Sequence, residues 1–134
     1  MEQIPQPIVK AEPEPEFAAF IAIDWADQKH YWSLQVAGQK GLQRGTLDHT
    51  PEAVEVWIME LQVRFRGRPL AVALEQRRGA LAVMRGKYAH VHWYPVHPMT
   101  LAKFREAWYP SRSKSDPIDA NLLLEILTAH RSRL

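Results

Sequence analysis

Three acidic features of the sequence could do chemistry, because each places carboxylates where a secondary-structure element begins or ends. Asp24 follows the apolar run 17–23, and Glu75 follows the apolar run 70–74. Asp116 and Asp119 are three residues apart at the start of a helical pattern, so they share one face. Four convergent carboxylates suit one or two Mg²⁺ or Mn²⁺ ions, which clamp the oxygens of a phosphodiester. The combination favours a site that cuts or joins nucleic acid.

Each feature also has a purely structural interpretation. Asp24 could terminate a strand, since aspartate is a common turn residue, and Glu75 alone is unremarkable. Asp116 could cap a helix that has Pro117 at its first position, with Asp119 favoured by the helix dipole. The catalytic interpretation therefore depends on the four residues occurring together.

The elements needed to position these residues can be read from the apolar pattern. Strand-like runs cover 17–24, 30–37 and 41–47, and their spacing suggests an antiparallel meander. Thr50 and Pro51 open a helix, 70–74 is an apolar central strand, 79–88 is compatible with a helix, and 90–96 is another strand. A helix over 98–108, a polar and mobile segment over 109–115, and an amphipathic helix from Asp116 complete the pattern. We expect an α/β fold whose mixed sheet has three antiparallel strands plus two parallel strands, flanked by helices.

Length and composition limit the remaining possibilities. The 134 residues are about the size of one domain, which we place at 17–134 after a flexible leader, 1–16, that alternates proline with glutamate. There is no cysteine, so any metal must be held by carboxylates or histidines. The longest apolar run is far shorter than the roughly 20 residues of a membrane-spanning helix. These features predict a cytoplasmic protein with no membrane partner.

The overall charge of +2 is divided unevenly along the chain. The leader has four glutamates against one lysine, which leaves a surplus of five positive charges on residues 17–134. Such a surplus would suit DNA, but on its own it favours an ordinary mixed-charge surface, so it serves only as support.

The acidic residues also carry a family resemblance. The strings 21–24 (IAID), 74–75 (LE) and 114–120 (KSDPIDA) resemble, in this order, the N-terminal domain of the DEDD transposases of bacterial insertion sequences, the group associated with bridge RNA. The resemblance spans about residues 17 to 130. It implies an RNase H-like domain similar to the Holliday junction resolvase RuvC, in which Asp24, Glu75, Asp116 and Asp119 bind a divalent metal.

The resemblance further implies an activity and partners. The activity would be Mg²⁺-dependent cleavage and transfer of DNA strands during transposition, with a guide RNA and other copies of the chain as partners in a homo-oligomer. Phosphate contacts are expected from basic residues that flank the acidic cluster in sequence, namely Lys114, Arg112, Arg77 and Arg78.

Two departures from the family pattern matter. Where the family has Thr-Gly after the glutamate, this chain reads Gln76-Arg77-Arg78-Gly79. The family's second domain, which bears a serine nucleophile, does not fall within these residues, so we expect the chain alone to be incomplete as a recombinase.

Two other classes of protein compete with this interpretation. A non-catalytic RNase H-like module that binds nucleic acid or assembles a dimer would leave the carboxylates inert. A sugar-kinase-like or actin-like ATPase would need a glycine-rich phosphate turn after Asp24, and residues 25–29 contain no glycine. We expect the nearby His90, His92 and His97 to be surface or packing residues, and we assign no site to the aromatic residues Trp93, Tyr94, Trp108 and Tyr109.

Overall fold

The computed structural model describes residues 14–26, 28–75, 88–108 and 116–133, with residues 116–119 and 133 described by their backbone only. Five strands and three helices follow one another in these ranges. The strands are β1 (Ala19–Asp24), β2 (Lys29–Val36), β3 (Leu42–Asp48), β4 (Leu70–Glu75) and β5 (Val91–Val96). The helices are α1 (Pro51–Arg64), α2 (Pro98–Trp108) and α3 (Asp116–Ala129), and a short 3₁₀ turn, Arg131–Arg133, comes after α3.

The strands form one mixed sheet in the order β3-β2-β1-β4-β5. β1, β2 and β3 are antiparallel neighbours, whereas β4 pairs parallel to β1 and β5 pairs parallel to β4. The predicted α/β architecture, a three-stranded antiparallel meander extended by two parallel strands and flanked by helices, is therefore confirmed, and it is consistent with an RNase H-like fold.

Helices cover both faces of the sheet. On one face, α1 packs on alternate residues of β1 and β4 through Val54, Ile58, Leu61 and Phe65. On the opposite face, α3 packs on the intervening positions, among them Ala22, Ala71 and Ala73, and Leu101 of α2 joins this second core. Because β1 and β4 are covered on both sides, their residues are apolar almost without interruption, as the sequence indicated.

Local signals set the ends of α1. The Thr50 side chain accepts a hydrogen bond from the backbone N–H of Ala53 at 3.1 Å, and Pro51 occupies the first turn, where a missing N–H is harmless. At the other end, Arg66 and Gly67 both have positive φ, and the N–H of Gly67 returns to the carbonyl of Gln62. The helix start that the sequence predicted is confirmed.

The predicted boundaries of the strands differ from the observed ones by one or two residues at most, and α2 has the predicted bounds. Two predictions fall outside the described residues, namely a helix over 79–88, apart from Tyr88, and mobility of the segment 109–115. The flexible leader also remains a prediction for residues 1–13. At its end, the Glu14 carboxylate accepts hydrogen bonds from the Tyr94 hydroxyl at 2.6 Å and from Nε of Arg131 at 2.7 Å.

Candidate functional site

Two of the four predicted carboxylates end neighbouring strands at the same edge of the sheet. The parallel register pairs Ile21 with Val72 and Ile23 with Leu74, so continuing it by one residue sets Asp24 beside Glu75. Adjacent strands in a sheet are roughly 4.8 Å apart. Since paired residues of parallel strands project to the same side, both residues belong to the face of the sheet that α3 covers.

The two carboxylates differ in their exposure. Asp24 is only 2% exposed, and it directly continues the buried strand β1. Glu75 is partly buried at the end of β4. A buried carboxylate is costly unless it is paired, hydrogen-bonded or bound to a metal, so a charged Asp24 needs compensating groups around it.

The direction of α3 decides which of its ends meets this edge. Asn121, near its start, contacts Ser33, which is the register partner of Ala22 on β1. Beyond its end, the guanidinium of Arg131 lies over the rings of Phe17 and Phe20, 5.7 and 5.2 Å from their centroids. The helix therefore runs antiparallel to β1, and its first turn points toward the edge at which Asp24 lies.

The other two predicted carboxylates belong to this first turn of α3. Asp116 begins the helix, as the sequence predicted, and Asp119 lies two residues before Asn121. Their side chains are outside the described part of the molecule, and so are the basic residues predicted to contact phosphate, namely Arg77, Arg78, Arg112 and Lys114. The convergence of all four carboxylates accordingly stays a prediction.

A polar contact that the sequence did not reveal anchors α3 on the sheet. Oδ1 of Asn121 accepts hydrogen bonds from Oγ of Ser33 at 2.9 Å and from Nε of Arg44 at 3.2 Å. Ser33 is 1% exposed, whereas Arg44 is exposed. A buried hydroxyl must find a partner, and this contact ties α3 to β2 close to the first turn of the helix.

A second cluster supports the chain immediately after Asp24, on the face of the sheet that α1 covers. The Trp25 ring stacks on the fully buried His30 ring with centroids 3.8 Å apart. Nδ1 of His30 accepts a hydrogen bond from the backbone N–H of Ala26 at 2.9 Å, and its Nε2 lies 3.0 Å from Nδ1 of His49. This network assigns the proton of the neutral His30 ring to Nε2, which donates to His49. Burial, and then the neighbouring His49, lower the pKa of His30 to about 4.

The other histidines have structural surroundings. His92 packs edge-on against Phe17 with centroids 5.4 Å apart, and Nδ1 of His97 accepts a hydrogen bond from the N–H of Met99 at the start of α2. Burial lowers the pKa of His90, with a smaller contribution from His92. Among the described residues, no three side chains of the metal-ligating types come together.

These observations can be set beside known proteins. A family model described as a transposase, of the IS110-type DEDD group, matches residues 21–134. The chain belongs to this DEDD transposase family. Membership of this family supports a transposase function, which is DNA processing in general, and the match agrees with the resemblance found in the sequence. No curated protein matches the chain. In the described part of the chain, no helix is long and apolar enough to cross a membrane.

Sequence reasoning missed Ser33, Asn121 and His30, because a serine, an asparagine and a histidine within apolar patterns are common and carry no spacing signature. One signal was available for His30 and Ser33. Both lie within the run 30–37 that predicts a strand, and a polar residue that a strand turns toward the core requires a partner.

Proposed function

We propose that Asp24, Glu75, Asp116 and Asp119 form one carboxylate site that binds Mg²⁺ or Mn²⁺, and that this site cleaves and transfers DNA strands in transposition. The observation that carries the proposal is the parallel register of β1 and β4, which sets Asp24 beside Glu75 at one edge. The antiparallel course of α3 supports it, because the first turn of this helix reaches the same edge.

Helical spacing adds support for the two aspartates of α3. Ala120, Leu123 and Leu127 are buried against the sheet, and positions 116, 120, 123 and 127 form one row along a helix. Position 119 joins the adjacent row with Leu123 and Ile126. A helix rises about 1.5 Å and a strand about 3.3 Å per residue. Asp119 thus lies about 3 Å beyond Asn121, and Asp24 lies about 6.6 Å beyond the level of Ala22. Their levels along the strand direction therefore differ by only about 4 Å, which supports a shared site.

The donor chemistry fits a hard divalent cation. Carboxylate oxygens are the ligands that Mg²⁺ and Mn²⁺ prefer, and neighbouring carboxylates repel one another until a cation lies between them. When bound, the metal would neutralise charge on the phosphodiester and activate water for attack. The contribution of the protein is positional: two rigid strands hold Asp24 and Glu75, while Asn121 fixes the helix that carries the other pair.

Several finer expectations belong to the same proposal. Residues 17–134 would form the catalytic domain, with Lys114, Arg112, Arg77 and Arg78 contacting DNA phosphates. A serine-bearing second domain, a guide RNA and further copies of the chain would complete the recombinase. These expectations rest on the family alone. If the guide RNA is required, the protein purified free of RNA should no longer recognise its DNA target.

The proposed convergence can be tested by affinity cleavage with Fe²⁺, which replaces Mg²⁺ and, with ascorbate and peroxide, cuts the backbone near its ligands. We expect cuts near residues 24, 75 and 116–119, all of which disappear in Asp24→Asn and persist in the control Glu55→Gln on α1. Cuts at one segment only would contradict a shared site. The absence of localised cuts would favour the non-catalytic nucleic-acid-binding or dimerisation module.

A further inference from the structure

The outer face of α1 is apolar where a surface helix is normally polar. Val56, Met59 and Val63 are 54%, 54% and 79% exposed, and their spacing of three and then four residues forms a single seam. This seam lies opposite the buried residues Val54, Ile58 and Leu61, so α1 has two apolar faces, of which the sheet covers one. We call the exposed one the α1 seam.

An acidic cleft of about 570 Å³ lies beside the α1 seam, between α1 and the edge strand β3. Val56 belongs to both the seam and the cleft, and the indole rings of Trp32 and Trp57 line the cleft wall. Three carboxylates also line it, those of Asp48, Glu52 and Glu60. This charge disfavours a nucleic acid as the occupant, because phosphates would meet carboxylates.

Charges along α1 are segregated by sign. Glu52 and Glu55 are exposed in its first turns, whereas Arg64, Arg66 and Arg68 are exposed at and just after its end. When two copies of this helix lie antiparallel, the acidic end of each meets the basic end of the other and the two apolar seams face each other. A two-fold axis joins a surface to its own copy in this way.

We propose that a second copy of this chain docks on the α1 seam, with the two α1 helices antiparallel across a two-fold axis near Met59. This arrangement sets Val56 opposite Val63 of the partner subunit, and Met59 near its own copy. It also brings Glu55 and Glu52 toward Arg64 and Arg66 of the partner subunit. The apolar contacts would supply attraction, and the charge pairs would select the antiparallel orientation.

One contact opposes the association. Glu60 lies close to the proposed axis and would approach its own copy, and like charges at short distance repel. The helix is 14 residues long, roughly 21 Å, so the contact area is small and the dimer should be weak and concentration-dependent. Glu60→Gln should therefore strengthen the association.

The test is sedimentation equilibrium of the chain over a concentration series, with circular dichroism to verify folding of each variant. We expect a monomer–dimer equilibrium that Val63→Glu shifts to monomer, with at least about a tenfold rise in dissociation constant. Met99 is 64% exposed on α2, and Met99→Glu serves as the control that leaves the equilibrium unchanged. A monomer at every concentration, or a dimer indifferent to Val63→Glu, would overturn the proposal.

Charge reversal tests whether the charged ends of α1 pair across the interface. The behaviour of each variant alone distinguishes antiparallel from parallel helices, because a parallel wild-type dimer would already set like charges together. Glu52→Arg with Glu55→Arg makes both ends basic, and Arg64→Glu with Arg66→Glu makes both ends acidic, so each variant alone should be monomeric. Mixed together, the two variants should associate at least as tightly as the wild type, because every pair is again of opposite sign. Association of either variant alone as tightly as the wild type, or failure of the mixture to associate, would contradict the antiparallel pairing. None of these substitutions touches the proposed carboxylate site, so the result is independent of metal binding.

Discussion

Removing the Asn121 side chain should have a predictable cost, because its two hydrogen-bonding partners differ in burial. Ser33 is 1% exposed and donates to Oδ1 of Asn121 at 2.9 Å. In Asn121→Ala, the hydroxyl of Ser33 loses this partner inside the core, which costs about 1–3 kcal/mol. Arg44 is exposed, so water replaces its hydrogen bond at little cost. We therefore expect the free energy of unfolding to fall by about 1–3 kcal/mol.

Denaturant unfolding of a double-mutant cycle measures this interaction directly. Ser33→Ala should cost less than Asn121→Ala, because Arg44 still satisfies the amide oxygen. The coupling between the two substitutions should be about 1 kcal/mol. Thr128→Ala is a matched control on the same helix, where the exposed hydroxyl bonds only to its own helix backbone, and it should change stability by less than about 0.5 kcal/mol.

The same variants connect stability to the site. If Asn121 sets the position of the first turn of α3, Asn121→Ala should also weaken Mn²⁺ binding under conditions in which the protein remains folded, whereas Thr128→Ala should not. A coupling energy of zero between Ser33 and Asn121, or unchanged metal affinity in Asn121→Ala, would refute the idea that this contact positions the helix.

Three further perturbations follow from local geometry. A Cβ on Gly45 would come within 2.3 Å of the Trp32 ring, so Gly45→Ala should destabilise the protein by about 1–3 kcal/mol in denaturant unfolding, whereas Gly41→Ala, with open space around it, should be nearly neutral. Thr50→Ala removes the cap of α1, which should lower the free energy of unfolding by about 1 kcal/mol and the thermal midpoint with it. Thr50→Ser should restore the midpoint. His30 has a folded-state pKa lowered to about 4 from 6.5, so the unfolded chain binds the proton more readily and stability should fall as pH drops from 6.5 to 4. His30→Asn should flatten that part of the curve of unfolding free energy against pH, and an unchanged slope would show that another group titrates.

The sheet could be predicted from sequence because its signals are local. Residues 70–74 are continuously apolar, and a strand with that pattern must be covered on both faces, which made β4 central. Thr50 and Pro51 gave the start of α1 through capping chemistry that involves only adjacent residues. The convergence of Asp24 and Glu75 at one edge was also predictable, since carboxyl ends of neighbouring parallel strands meet there, although their exact register was not.

What could not be predicted depends on contacts between distant parts of the chain. Ser33 and Asn121 are 88 residues apart, and neither has a distinctive local pattern. The exposed α1 seam was missed for a related reason. Val56 and Val63 match the apolar composition of a core helix, and only the observed orientation of α1 shows that they face away from the sheet.

The central claim is that distant carboxylates form one metal site, and a calorimetric titration of Mn²⁺ tests it most directly. It should be performed on the wild type, on Asp24→Asn, on Asp119→Asn and on the exposed control Glu55→Gln, with thermal unfolding measured in parallel. We predict saturable binding to the wild type and the control, loss of binding in both aspartate variants, and unchanged or raised stability of those variants without metal, since a repelling charge is removed. Binding that survives in either aspartate variant would contradict the account.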